Sequence, residues 1–132
     1  MKTTDIFVKL VFLLALLLLG GVGASHATTN VSETISSNTI WDLTGSPYVL
    51  TSAVTVTSGT TLTLSPGVVV KGSGSGELRV DGTLVADGTD TAPIVFTSYK
   101  DDSYGGDTNG DGTATSPAAR DWEGLYFSSS ST

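Results

Sequence analysis

Cysteine is absent from the 132 residues, histidine occurs once and arginine twice. Without cysteine there are no disulfides, no zinc-thiolate centres and no thiol nucleophile. The single histidine, His26, lies at the end of an N-terminal leader. Once that leader is removed, neither a Ser-His-Asp arrangement nor a histidine metal site is available. Basic residues are scarce as well, with Lys+Arg 6 against Asp+Glu 13. That balance argues against a partner that presents a phosphate backbone, so no nucleic acid is expected.

The leader is the one long apolar stretch. Lys2 and Lys9 precede an unbroken apolar run from Leu10 to Leu19, and small residues follow up to Ala24-Ser25-His26-Ala27. A basic segment, an apolar run of about ten residues and small residues before a cut are the marks of a secretory signal peptide over residues 1–27. The alternative is a retained membrane anchor, for which the run is short of the roughly 20 apolar residues a spanning helix needs. Cleavage after Ala27 leaves 105 residues with a net charge of −8, of which 35 are Ser or Thr. The expectation is a secreted or cell-surface module with no membrane span after cleavage.

Beyond the leader no window has a helical period. Apolar residues alternate at period two in short runs: Tyr48/Leu50, Val54/Val56, Leu62/Leu64, Val68/Val70, Leu78/Val80, Leu84/Ala86, Ile94/Phe96 and Leu125/Phe127. Turn formers separate them, among them Ser58-Gly59, Pro66-Gly67, Asp81-Gly82 and Asp87-Gly88. This is an all-β pattern. Leu62, Leu78 and Ile94 are evenly spaced, as are Leu64, Val80 and Phe96, which suggests a parallel β-helix (solenoid) with coils of about 16 residues. In such a solenoid equivalent residues stack in interior ladders about 4.8 Å apart. Val68 with Leu84, Val70 with Ala86, and Val54 with Val70 keep the same interval. A small antiparallel sandwich with evenly spaced hairpins is the competing architecture. The division expected is a lead-in or cap over 28–47 and coils over 48–132, with an acidic loop inserted at 99–121. Nothing after Phe127 offers a cap for an open coil, so the sequence is expected to be a fragment of a longer chain.

The stretch Gly59-Thr-Thr-Leu-Thr-Leu-Ser-Pro-Gly-Val-Val-Val-Lys-Gly72, followed by Leu78-Arg-Val-Asp-Gly-Thr-Leu-Val-Ala-Asp-Gly-Thr89 and Ala92-Pro-Ile-Val-Phe-Thr-Ser98, resembles the opening coils of bacterial surface and secreted right-handed parallel β-helix (pectate-lyase-like) proteins. Asp121-Trp-Glu-Gly-Leu-Tyr-Phe127 is similar to a following coil in many of them. The resemblance implies the right-handed sense of the solenoid. It spans adhesins as well as carbohydrate-active enzymes, so it implies an architecture and no single activity.

One segment carries local chemistry. Within the insertion, Asp107-Thr-Asn109-Gly-Asp111-Gly112 sets oxygen donors at positions one, three and five of a loop with Gly at six. Calcium takes 6 to 8 oxygens, and carboxylate and amide oxygens at this spacing converge on one ion. The candidate ligands are Asp107, Asn109, Asp111 and the carbonyl of Thr113. Position twelve is Ala118, where an EF-hand has Glu, so a helix-free calcium loop is the form considered. Asp101, Asp102, Asp121 or Glu123 would complete its shell. The plain alternative is a solvated Gly/Asp turn.

No catalytic residue is assigned. Asp81 and Asp87 lie in Asp-Gly-Thr turns, where aspartate serves as a turn former. Lyases of this architecture, by resemblance, use calcium with a basic proton abstractor, and Lys71, Arg79, Lys100 and Arg120 lie in no lyase motif. The expected function is a structural or binding scaffold, adhesin-like or glycan-binding, with calcium as its ion and glycans or cell-envelope components as partners. Tyr99, Tyr104 and Tyr126 are candidate sugar platforms. The alternative is the N-terminal part of a polysaccharide lyase or related enzyme. Ice binding is a third, weaker option, because Thr55/Thr57 and Thr61/Thr63 are not followed by further threonine pairs.

Overall fold

A computed structural model describes residues 27–132, so the signal-peptide segment lies outside the described residues apart from Ala27. The chain forms ten strands: β1 (Thr29–Val31), β2 (Thr39–Trp41), β3 (Tyr48–Leu50), β4 (Ala53–Val56), β5 (Thr61–Leu64), β6 (Val69–Gly72), β7 (Glu77–Val80), β8 (Thr83–Ala86), β9 (Val95–Ser98) and β10 (Gly124–Phe127). Among the described residues there is no α-helix, and no helix long and apolar enough to cross a membrane.

All strand pairing is parallel and falls into three sheets, which rules out the antiparallel sandwich. Sheet A runs β1-β3-β6-β9, sheet B runs β4-β7-β10 and sheet C runs β2-β5-β8. From β3 onward the chain visits A, B and C in turn, one short strand on each of three faces; in the first coil the bridge from Ile35 to Val56 takes the place of a sheet B strand. The result is a β-solenoid of about three turns.

The coil length corrects the expected period. Coils are about 23 residues long, not 16. Leu78 stacks between Val54 and Leu125, Leu62 on Leu84, and Val70 between Tyr48 and Phe96. The expected ladder of Leu62, Leu78 and Ile94 does not exist, nor does that of Leu64, Val80 and Phe96. Val68 with Leu84, Val70 with Ala86 and Val54 with Val70 are not ladder neighbours either. Leu62 belongs to sheet C, Leu78 to sheet B, and Ile94 directly precedes the sheet A strand β9. Sixteen residues is about two-thirds of a coil, so each step skips one face and lands on the next equivalent inward position.

The local reasons for the strands are those the alternation implied. In β4, β5 and β7 every second residue is fully or almost fully buried (Val54, Val56, Leu62, Leu64, Leu78 and Val80), while Thr55, Thr61 and Thr63 face outward and are half-buried. A strand this short buries only two side chains, worth roughly 1.5–3 kcal/mol each. Stacking coil on coil lets these few positions form one continuous core. Trp41 and Tyr48 stack across the corner from sheet C to sheet A, with ring centroids 4.6 Å apart. The backbone packs as closely as the side chains at the corners. A Cβ at Gly82 would come closer than 3.0 Å to the carbonyl oxygens of Thr57 and Thr60 in the coil beneath, so Asp81-Gly82-Thr83 needs its glycine for this approach.

Sheet A departs from alternation. Every residue of β3 and β6 is buried, including the outward-facing Val49, Val69 and Lys71. Its outer face is covered, and the insertion between β9 and β10 takes part in covering it.

Candidate cation site on the insertion

The insertion leaves β9 through Tyr99-Lys100-Asp101 and returns through Asp121-Trp122 to β10. Despite its length, β10 pairs with β7 residue for residue, from Gly124 on Glu77 to Phe127 on Val80. Two fastenings hold it. At its base, the Asp121 carboxylate accepts hydrogen bonds from Ser98 Oγ (2.7 Å), Lys100 Nζ (2.8 Å) and the Ala118 N–H (2.7 Å). The Lys100 ammonium, then Ser98 and the Ala118 N–H, lower the Asp121 pKa to about 2. Trp122 then packs against the core over Gly72.

The second fastening is Lys71, which has no exposed surface. Its ammonium donates to the carbonyls of Asp101 and Gly106, both at 2.8 Å, and to Thr108 Oγ1. Burial pushes the Lys71 pKa down, opposed by the nearby charges of Asp101, Asp102 and Asp107. The Asp101 carboxylate itself turns back to the solenoid and accepts from Thr97 Oγ1 (2.6 Å) and the Ser103 N–H (3.0 Å). The Thr97 hydroxyl is the main reason its pKa lies below the ordinary carboxylate range.

Between these fastenings the loop closes on itself. The Asp107 carboxylate accepts from the Asp111 N–H (3.1 Å) and the Gly112 N–H (2.8 Å), which curls the chain around it. Asn109 Nδ2 donates to Asp111 Oδ2 (2.8 Å) and Thr115 Oγ1 (3.0 Å). Thr115 Oγ1 also donates to Asp111, and this bond is the largest cause of the lowered Asp111 pKa. Asp102, Asp107 and Asp111 each bring a carboxylate oxygen within 4.8 Å of the others.

Three convergent carboxylates repel one another unless a cation or a set of donors compensates. Here the compensation is incomplete. Asp102 Oδ1 and Asp111 Oδ1 are both shielded from solvent without a hydrogen-bond partner. Such orphaned acceptors are costly, and a hard divalent cation between them would satisfy both. The donor set therefore fits calcium: three convergent carboxylates, all hard oxygen donors.

Of the residues singled out in the sequence, Asp107 and Asp111 lie together and Asn109 bridges Asp111 to Thr115. Thr113 is exposed and joins none of the hydrogen bonds that tie the loop. Of the four acidic residues considered to complete the shell, Asp102 joins the cluster, whereas Asp101 and Asp121 fasten the insertion to the solenoid. The role of Lys71 has no local sequence signal. The run Val68-Val69-Val70 beside it has one, because three consecutive apolar residues in place of alternation mark a strand covered on both faces.

Where the insertion meets the solenoid there is a cavity of about 290 Å³, lined by Leu43, Ser46, Pro47, Gly67, Val69 and Gly105. Residues 33–125 match the family described as Pectate-lyase like beta helix domain. The chain belongs to this family. The match begins before β2 and runs into β10, so the pectate-lyase-like β-helix domain comprises nearly all the described coils together with the insertion. No curated protein and no solved structure matches the chain. The basic residues of this β-helix domain are also placed. Arg79 pairs with Asp81 at 3.2 Å and lies 4.6 Å over the ring of Tyr126, which is 50% exposed. Arg120 is exposed, with a left-handed φ of 70°.

Proposed function

We propose that this chain is a secreted or cell-surface β-helix scaffold of the binding type, adhesin-like or glycan-binding, whose insertion is stabilised by calcium. The observation that carries the choice of binder over lyase is the engagement of Lys71, Lys100 and Arg79; Arg120, exposed on the insertion, stands outside it. A lyase of this architecture needs a basic side chain free to lose its own proton and then take one from the substrate beside the metal. Lys71, the cation nearest the carboxylates, spends its three N–H donors on Asp101, Gly106 and Thr108. Lys100 is held by Asp121, and Arg79 by Asp81 and Tyr126.

In this reading the outer surface carries recognition. Tyr126 on the outside of sheet B, with Arg79 and Asp81 beside it, combines an apolar ring with hydrogen-bonding groups, which suits the amphipathic face of a sugar. Asp102, Asp107 and Asp111 would hold the ion, and the ion would neutralise their charge and stiffen the insertion.

A glycan array run in calcium, with Tyr126→Ala in parallel, tests this function. Saccharide binding that Tyr126→Ala weakens at least tenfold supports it. Release of unsaturated product from polygalacturonate in calcium would instead establish the alternative, a polysaccharide lyase.

A further inference from the structure

Lysine is rarely buried without a carboxylate beside it, and the burial of Lys71 is complete. It lies on β6 in the middle of sheet A, paired in register with Val49 and Thr97. Its ammonium reaches no carboxylate within ion-pair distance; the ion pairs among the described residues are Arg79–Asp81 and Lys100–Asp121. It is instead capped by oxygens of the insertion. An ammonium has three donors and no acceptor, and here all three are used, on Asp101 O, Gly106 O and Thr108 Oγ1.

These three acceptors bracket the cluster. Asp102 follows the first, and Asp107 stands between the second and the third. The segment 101–108 thus curls around the ammonium and presents two of the three clustered carboxylates. We propose that Lys71 is the positioning residue of the cation site, a cation tethered to the solenoid that closes the insertion over sheet A and brings Asp102 and Asp107 together before any metal arrives. This extends the calcium part of the proposed function, but the closure of the loop by Lys71 does not itself require the metal.

The two roles a lysine can have here make opposite predictions. As a like charge near a metal site it would weaken calcium binding, so Lys71→Met would tighten it. As a positioning residue it organises the ligands, so Lys71→Met weakens binding although a repelling charge has gone.

The test uses the full chain, with hydrogen exchange of residues 99–121 measured in chelator and calcium binding measured by titration. In chelator, Lys71→Met is expected to lose protection across 101–108 at least tenfold while β4, β5 and β7 keep theirs. Thr108→Val, which removes one acceptor and leaves the ammonium, gives a smaller loss and serves if Lys71→Met fails to fold. In calcium, Lys71→Met is expected to bind at least tenfold more weakly than the unsubstituted chain. Unchanged protection in chelator for both variants, or unchanged or tighter calcium binding by Lys71→Met, overturns the proposal and leaves the calcium site standing. Protection lost in chelator, with no calcium binding by any form, supports Lys71 as the closing residue and removes calcium from the proposed function.

Discussion

Gly72→Ala is the most informative single substitution in the core. Gly72 stacks in sheet A between Leu50 and Ser98, and a Cβ there would stand closer than 3.0 Å to Cγ, Cδ2 and Cε3 of Trp122. Carbon atoms pack at about 3.5–4.0 Å, so the indole must retreat or leave. Retreat within a filled interior costs roughly 1–3 kcal/mol. Departure exposes about half of a tryptophan's 150–250 Å², worth roughly 2–3 kcal/mol at about 25 cal/mol per Å². Both routes give about 2 kcal/mol, equivalent to a fall in Tm of roughly 8–16 °C for a domain of this size. Denaturant unfolding followed by tryptophan emission reads this directly, because buried Trp41 reports the global transition while native-state emission reports the packing of Trp122. Gly72→Ala should lower the midpoint and shift native emission to the red. Adding Trp122→Leu should recover part of the loss, with a coupling of about 0.5–3 kcal/mol. A Gly72→Ala chain within about 0.5 kcal/mol of the unsubstituted one, or strict additivity with Trp122→Leu, would refute the packing described for this corner.

Three further outcomes follow from the insertion and the ladders. Calcium at about 100 times its Kd should stabilise the fold by about 2.7 kcal/mol, a rise in Tm of roughly 10–20 °C; Asp107→Ala with Asp111→Ala should abolish that rise, and a melt indifferent to calcium would remove the ion from the site. The folded pKa of Asp121 is about 2, against about 3.9 for an unperturbed aspartate. Its contribution to stability is therefore complete above about pH 4 and lost as pH falls through 2, and Asp121→Asn should flatten that limb of an acid titration of Tm. Leu62→Ala should cost about 2–5 kcal/mol and be non-additive with Leu84→Ala, its stacked neighbour, as a double-mutant cycle would measure.

The strands were legible because each is a two-residue event. An inward Val or Leu at every second position needs no knowledge of its neighbours, and Val54/Val56, Leu62/Leu64 and Leu78/Val80 all behave so. The coil length was not legible, because three faces with similar inward residues offer several equal spacings. The interval from Leu62 to Leu78 connects different sheets, whereas the true neighbour of Leu62 is Leu84. β1 and β2 have three residues each, too few for a period to register. In the insertion, Asp107, Asn109 and Asp111 could be found from local spacing. Asp102 was one of four acidic residues considered for the shell, with no spacing to single it out, and Lys71 gave no signal at all, since its partner Asp101 lies some thirty residues away.

The exact pairing of β10 on β7 also makes the corner between sheets A and B a place where chain length is free. The insertion enters and leaves there without shifting a single residue of the ladder, as a side road joins a highway without moving its lanes. A peptide grafted in place of residues 109–117 would be displayed on one face of the solenoid, with the partners of Lys71 and Asp121 left in place. Its conformation could be varied while the three sheets keep their register.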